Sequence, residues 1–276
     1  MAIEVRPIFD LRLDLAEGPQ FDEETKVLWF VDITGKSWFE ANLNSGVVVA
    51  RQVQREISAI VRVRPGEFLG LVKEGLAELN LEGGCRILDG FLGPSERMND
   101  AKQDAAGRIW AGSMDINFTR GRGKLFRFDE NHNRTTILNN LSLPNGMGWS
   151  SDNETFYFID SLNYVVWAFD YNLQRGEISN QREFYRFLPA KGIPDGMCVD
   201  TEGNLLIAMW GGGAIVVLSP EGKFIRSIEL PVSKPTSCIL TGVKGLELIV
   251  TTSSQGIDLS IEPLGGRLLS VTELNL

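Results

Sequence analysis

Three oxygen-bearing side chains lie far apart in the sequence, and each is framed by glycine or proline. Glu17 lies in Ala-Glu-Gly-Pro, Asn145 in Pro-Asn-Gly-Met and Asp195 in Pro-Asp-Gly-Met. We expect these glycines and prolines to fix the backbone in turns at the start of strand-like runs, so that the three side chains can be aimed at one point. If the turns meet, two carboxylates and an amide offer a hard cation an oxygen site without imidazole or thiolate.

Imidazole chemistry has little support in this chain, because His132 is the single histidine in 276 residues. His132 lies in the polar segment 129–134, which is typical of a solvated turn between outer strands. Ser-His-Asp and Cys-His nucleophilic schemes need an imidazole beside the reacting group, so the sequence disfavours both. The glycine run 211–213 lacks the Lys-Ser/Thr of a phosphate loop, and we predict a tight bend between strands there.

The composition disfavours several classes of partner and compartment. With 36 acidic and 27 basic residues the net charge is −9, whereas nucleic-acid and anionic-membrane partners need concentrated Lys and Arg. The cysteines Cys85, Cys198 and Cys238 form no Cys-x-x-Cys pair, so we expect them to be reduced, buried small hydrophobes. The sequence shows no signal-peptide pattern and no apolar run of about 18 residues, so we expect a cytoplasmic protein.

The elements that must position the candidate site are predicted to be strands. Short apolar runs rich in Val, Ile, Phe, Trp and Leu alternate with Gly, Asn, Asp and Pro clusters, which is typical of an all-β protein. A turn-and-strand pattern recurs from six starting points, namely Phe21, Arg62, Gln103, Trp149, Val199 and Leu240. The intervals of 41, 41, 46, 50 and 41 residues match the size of a four-stranded propeller blade.

Residues 1–276 are therefore predicted to form a single six-bladed β-propeller domain, with four-stranded antiparallel blades around a central channel. Dividing 276 residues by six copies gives 46 per blade, which favours six blades over seven. A β-sandwich with accidental internal similarity is the alternative. Closing the ring without a bare sheet edge requires a strand donated by the other terminus. The alternating stretch 3–12 is expected to pair with the last blade around 266–274.

Four polar residues share one position relative to the repeat, because each lies four residues before a starting point. They are Glu17, Asn99, Asn145 and Asp195. The innermost strand of every propeller blade lines the central channel, so one blade position repeated means one end of one channel. We therefore expect these four side chains to converge.

Several longer motifs surround these residues. They are Glu-Gly-Pro near the N-terminus, Arg97-Met98-Asn99-Asp100, Asn145-Gly146, Phe158-Ile159-Asp160-Ser161 and Ile193-Pro194-Asp195-Gly196-Met197. With them the chain resembles the regucalcin (senescence marker protein), gluconolactonase and luciferin-regenerating enzyme family, from about residue 8 to the C-terminus. The resemblance implies a six-bladed propeller, in agreement with the repeat. It also implies that Glu17, Asn145 and Asp195 are the protein ligands of one divalent cation, which could be Ca²⁺, Zn²⁺, Mg²⁺ or Mn²⁺.

The same resemblance implies a substrate site. Arg97 and Asn99 match the pair that would hydrogen-bond the hydroxyls and ring oxygens of a sugar lactone. Regucalcin-like members have a glutamate on a loop over the pocket, where this chain has Asp115 followed by Ile116. Asp115 is expected to take the place of that glutamate from one position away. The loops 113–124 and 188–193 are expected to set the specificity.

The function expected from these residues is metal-dependent hydrolysis of a small sugar lactone. The cation would act as a Lewis acid on the lactone carbonyl, and Asp195 is the candidate general base. Two alternatives stay open. One is a calcium-binding regulatory protein without strong turnover, and the other is an organophosphatase-like propeller hydrolase. Enzymes of the second kind usually hold an additional structural calcium, for which the sequence offers no second acidic cluster with a histidine partner.

Overall fold

The computed structural model describes residues 3–242 and 247–274, whose strands form six four-stranded antiparallel sheets. The innermost strands of the six sheets contact one another in a closed cycle, so that each sheet is one blade of a ring. This confirms the six-bladed β-propeller predicted from the repeat.

Each blade is a meander of consecutive strands, and the last blade also takes the first strand of the chain. Blade 1 contains β2 (Ala16–Asp22), β3 (Val27–Asp32), β4 (Ser37–Asn42) and β5 (Val48–Gln52). Blade 2 contains β6 (Ile57–Arg64), β7 (Glu67–Val72), β8 (Gly75–Leu79) and β9 (Cys85–Gly90). Blade 3 contains β10 (Glu96–Gln103), β11 (Ile109–Asp115), β12 (Gly123–Phe128) and β13 (Arg134–Leu141). Blade 4 contains β14 (Pro144–Trp149), β15 (Thr155–Asp160), β16 (Val165–Asn172) and β17 (Glu177–Arg186). Blade 5 contains β18 (Ile193–Val199), β19 (Leu205–Trp210), β20 (Ala214–Leu218) and β21 (Phe224–Glu229). Blade 6 contains β22 (Pro235–Thr241), β23 (Glu247–Thr252), β24 (Leu268–Thr272) and β1 (Glu4–Ile8). Short 3₁₀ helices lie at Ser161–Asn163 and Pro189–Lys191.

Blade 6 joins the two ends of the described chain. Strand β1 pairs antiparallel with β24, from Glu4 opposite Thr272 to Ile8 opposite Leu268. Just after β1, the Leu13 amide donates to the Gly266 carbonyl at 2.8 Å. A strand from the N-terminal region therefore covers the outer edge of the three strands from the C-terminal region, which closes the ring.

Aromatic and aliphatic side chains fill the spaces between neighbouring blades. Trp38 of β4 packs on Phe68 of β7, with ring centroids 4.9 Å apart. Trp110 of β11 packs on Phe156 of β15 at the same separation. The middle strands of a blade are covered on both faces, which explains why β3 and β15 are continuous apolar runs rather than alternating ones.

The aspartate of the sequence repeat forms the turn between the first and second strands. Asp104 Oδ1 accepts hydrogen bonds from the amides of Ala106 and Arg108, at 2.9 and 3.0 Å. Asp200 makes the same pair of bonds in blade 5. An aspartate that bonds its own backbone in this way stabilises a tight turn, so the repeat is a signature of blade geometry rather than of function.

The glycine run and the single histidine both lie in connections between strands. The glycine run 211–213 forms the bend between β19 and β20, with positive φ at Gly211 and Gly213. His132 lies between β12 and β13, and its amide donates to the Asp129 carbonyl at 3.0 Å. Within the described part of the chain, no helix has the length and apolar character needed to cross a membrane.

Candidate metal centre

All six innermost strands carry a β-bulge near their first residues. In β14, Asn145 and Gly146 lie opposite the single residue Ile159. In β18, Asp195 and Gly196 lie opposite Ala208. A bulge leaves one residue out of the ladder and re-aims its side chain, and bulges are common beside functional sites. The repeated bulge therefore turns one side chain per blade out of the regular strand pattern.

The framing glycines do not make turns, contrary to the expectation from the sequence. Glu17, Asn145 and Asp195 lie inside strands β2, β14 and β18. A Cβ on Gly146 would lie 2.6 Å from the carbonyl oxygen of Asp195 on the adjacent blade. Gly146 and Gly196 do not have a positive φ, so turn geometry does not require glycine there. Glycine is required because the innermost strands of neighbouring blades approach closely at these positions.

Six buried polar side chains occupy equivalent positions around the ring. They are Glu17, Ser58, Asn99, Asn145, Asp195 and Thr236. Ser58 and Thr236 were missed by the sequence reasoning, although each also lies four residues before a repeat start, at Arg62 and Leu240. The rule that identified the other four would have found them.

The two hydroxyls of this ring are already engaged in structural hydrogen bonds. Ser58 Oγ donates to the Leu71 carbonyl at 3.2 Å. Thr236 Oγ1 donates to the Ala16 carbonyl at 2.6 Å and shares a hydrogen bond with Thr251 Oγ1 at 2.7 Å. The carboxylates and amides are therefore the ring members available for chemistry.

Hydrogen bonds orient the two amides so that their oxygens stay available. Asn145 Nδ2 donates to Asp195 Oδ1, which joins the innermost strands of blades 4 and 5. Asn99 Nδ2 donates to the Pro144 carbonyl at 2.8 Å. Since the NH₂ of each amide is engaged, its oxygen is the group left to meet a ligand.

The carboxylates of the ring are held in an environment that disfavours their charge. Burial raises the pKa of Glu17 well above its ordinary value, and the charges of Asp195 and Asp100 raise it further. Burial likewise raises the pKa of Asp195, and Asp100 adds to the effect. Arg97 opposes both shifts. Arg97 only partly offsets the repulsion between these buried carboxylates. A bound cation would neutralise that repulsion.

The donor set suits a hard divalent cation. Glu17 and Asp195 supply carboxylate oxygens and Asn145 an amide oxygen, the ligands that Ca²⁺, Mg²⁺ and Mn²⁺ prefer. Among residues 3–242 and 247–274, no three His, Cys, Asp or Glu side chains are grouped as a metal site. A third protein donor at this ring therefore has to be an amide oxygen, and Asn145, which bonds Asp195, is the predicted one.

A cavity of about 410 Å³ adjoins the ring and brings most of the predicted site residues together. Its polar lining includes Glu17, Asn99, Asn145, Asp195 and Arg97. Its apolar lining consists of Leu15, Ile33, Phe118, Leu143, Leu162, Ile193 and Trp210. Burial lowers the pKa of the Arg97 guanidinium, which nevertheless stays protonated at neutral pH. The cavity thus combines charged groups with largely apolar walls.

Asp115 does not share this cavity with Arg97 and Asn99. Its carboxylate accepts hydrogen bonds from the Asn117 amide at 2.9 Å and from Thr119 Oγ1 at 3.1 Å, and it borders a second cavity of about 310 Å³. Ser113 of β11 pairs with Met98, the residue just before Asn99 in β10. Asp115 lies two residues farther along β11, away from the ring residue. The structure thus separates Asp115 from the other predicted substrate residues.

Residues 15–254 match the family model described as the SMP-30/Gluconolactonase/LRE-like region. The chain belongs to this family. Regucalcin of Gallus gallus is 35% identical over 287 aligned residues, which cover 100% of this chain and 96% of the relative. A solved luciferin-regenerating enzyme has a TM-score of 0.90 at 27% identity, covering 99% of this chain and 96% of that one. A solved regucalcin of Agrobacterium tumefaciens, described as a calcium-binding protein, shares the fold with a TM-score of 0.91 at 24% identity, covering 98% and 93%.

In this SMP-30/gluconolactonase-like propeller, the unfolding free energy of the metal-free protein is expected to fall as pH rises above about 4. The pKa values of Glu17 and Asp195 are raised in the folded state, so the native protein binds more protons than the unfolded chain. The stability they contribute is complete below the ordinary carboxyl pKa and is lost as pH rises through the folded values.

Urea unfolding of the metal-free protein between about pH 4 and pH 8 measures this effect. The double variant Glu17→Gln, Asp195→Asn should show a smaller decline over that range than the wild type. If the unfolding free energies of the two proteins fell in parallel, these two carboxylates would not be the cause of the decline.

Proposed function

We propose that this protein is a metal-dependent lactonase that opens small lactones, the sugar lactone δ-gluconolactone among them. Membership of a family that includes gluconolactonase supports the proposal. One observation carries it: two buried carboxylates and an amide side chain line the same cavity as the guanidinium of Arg97. Such a cavity unites oxygen donors for a cation with a donor for the substrate.

Glu17, Asn145 and Asp195 would hold one divalent cation, with Ca²⁺, Mg²⁺, Mn²⁺ and Zn²⁺ as candidates. When bound, the cation would supply Lewis-acid polarisation of the lactone carbonyl oxygen. Arg97 and Asn99 orient the substrate, since both line the cavity and Arg97 retains donors beyond its bond to the Met98 carbonyl.

Asp195 is the proposed general base. A carboxylate that binds the cation can also accept a proton from an adjacent water. The Asp195 carboxylate takes a proton from water as the water oxygen bonds to the carbonyl carbon. The acyl–oxygen bond then breaks, and the proton held by Asp195 passes to the departing ring oxygen. The product is a hydroxy acid, and the carboxylate of Asp195 is regenerated.

Hydrolysis of δ-gluconolactone by the purified protein is expected to fall by about 10²-fold or more on chelation, because Lewis-acid assistance lowers the barrier by several kcal/mol. A pH indicator follows the proton that ring opening releases. Addition of each candidate cation to the chelated protein should restore the rate for at least one of them.

Chelator already saturated with the cation that restores the rate serves as the control and should leave the rate unchanged. Full activity in excess free chelator would contradict metal dependence. Tight cation binding without opening of any lactone in a panel would instead identify a calcium-binding protein without turnover.

A further inference from the structure

The cavity beside the ring has a mixed lining, with charged groups and a larger number of apolar side chains. Glu56, just before the first strand of blade 2, and Arg97 of blade 3 are charged groups that line it with the ring residues. Blades 4 and 5 contribute apolar side chains, among them Leu162 and Trp210. Phe118 extends the apolar wall from the loop that follows β11. A ligand in this cavity therefore meets a few hydrogen-bonding groups and an extensive hydrocarbon surface.

Local hydrogen bonds fix the backbone at Phe118, while its ring remains open to solvent. Phe118 is 54% exposed and has a φ of 57°, a backbone conformation that bulky residues rarely adopt. Its amide donates to the Asp115 carbonyl at 2.9 Å. The Asp115 carboxylate binds the residues on both sides, through the Asn117 amide and Thr119 Oγ1. An unusual backbone held in this way is typical of functional sites.

Other parts of the apolar wall are also held in place. Lys234 Nζ lies 5.1 Å from the Trp210 ring centroid and donates to the Gln255 carbonyl at 2.5 Å, which restrains the indole. Leu162 lies in the 3₁₀ helix Ser161–Asn163, where Asn163 Nδ2 donates to Asp160 Oδ2 at 2.7 Å. A wall restrained before binding loses little freedom when a ligand enters, which favours selectivity.

We propose that this cavity selects lactones that carry an apolar alkyl or aryl substituent over lactones hydroxylated all round, with Phe118 as the specificity-determining residue. Asp115 acts as a positioning residue for Phe118. The inference rests on the proposed lactonase function and narrows its substrate class.

The preference follows from what each substituent loses and gains on leaving water. A hydroxyl buried against the hydrocarbon wall without a partner lowers affinity by about 10-fold or more. Each methylene buried there raises affinity by about fourfold. A lactone substituent of several methylenes that packs on this wall is therefore favoured, while hydroxyls at the same place on the lactone are disfavoured.

Two six-membered lactones provide the test, δ-decalactone with an alkyl chain and δ-gluconolactone with hydroxyls. The wild type is expected to show a kcat/KM for δ-decalactone at least about 10-fold higher. Phe118→Ala should reduce this ratio by about 10-fold, mainly through the KM for δ-decalactone. The matched control is Phe224→Ala, because Phe224 is 55% exposed on β21 and does not line the cavity. That control should leave both values of kcat/KM unchanged.

Asp115 is tested by a pair of variants. Asp115→Ala should lower the ratio as Phe118→Ala does, whereas Asp115→Asn keeps a side-chain oxygen for the Asn117 amide and should restore the ratio. A wild-type preference for δ-gluconolactone, or an unchanged ratio in Phe118→Ala, would overturn the inference while leaving the lactonase proposal intact.

Lactam counterparts of the two substrates, which resist opening, separate this inference from the proposed function. Calorimetry should show tighter binding of the alkyl lactam than of the hydroxylated lactam by the wild type, with the difference lost in Phe118→Ala. This result without hydrolysis of any lactone would support the selectivity and refute the lactonase. Equal binding of both lactams would refute the selectivity.

Discussion

The Asp195→Asn variant is expected to hydrolyse lactones about 10²–10⁴-fold more slowly than the wild type, the range typical of a lost general base. The asparagine oxygen can still accept the hydrogen bond from Asn145 Nδ2, so the local geometry is retained. What disappears is the negative charge that takes the proton and attracts the cation. Steady-state kinetics and calorimetric titration with the activating cation should both show the loss.

The stability of the Asp195→Asn variant distinguishes lost chemistry from a damaged fold. At neutral pH and without metal, its unfolding free energy is expected to exceed that of the wild type, because a buried charge has been removed. Asp200→Asn is the matched control, with the same substitution at a buried aspartate that forms the turn after β18. It should retain kcat and cation affinity. Full activity in Asp195→Asn would exclude Asp195 from the mechanism.

Gly146→Ala is expected to lower the unfolding free energy by about 1–3 kcal/mol and to weaken cation binding at the same time. The added Cβ would lie 2.6 Å from the Asp195 carbonyl oxygen and 2.9 Å from the Met197 amide nitrogen. Both are backbone atoms, so relief of the overlap requires β14 and β18 to separate. That separation would pull Asn145 away from Asp195. Chemical denaturation and calorimetric titration measure the two effects.

Gly148→Ala supplies the control on the same strand. A Cβ there would lie 2.9 Å from Val199 Cγ2 and 3.5 Å from Met197 Cε, which are side-chain ends that can move. We expect a smaller loss of stability and unchanged cation affinity. Equal effects of the two substitutions would show that close approach at Gly146 has no special role in the site.

The turns predicted from the sequence are wrong where packing between blades decides the backbone conformation. Asn-Gly and Asp-Gly are usual turn pairs, yet Asn145 and Asp195 lie in strands, because the glycines face the backbone or side chains of the next blade. No local pattern reveals that neighbour. The register of β11 likewise places Asp115 two residues beyond Ser113, which pairs with Met98 next to the ring residue Asn99, and the sequence alone does not give that register.

The sequence by itself determined the six blades and the convergence of Glu17, Asn99, Asn145 and Asp195. A repeat places equivalent residues at equivalent points of a closed ring, whatever the details of packing. Only the tertiary structure decided which oxygens stay available, how far burial raises the pKa values of Glu17 and Asp195, and that Phe118 joins the cavity wall. These properties depend on atoms contributed by several blades at once, and the distances between such atoms are fixed only when the ring closes.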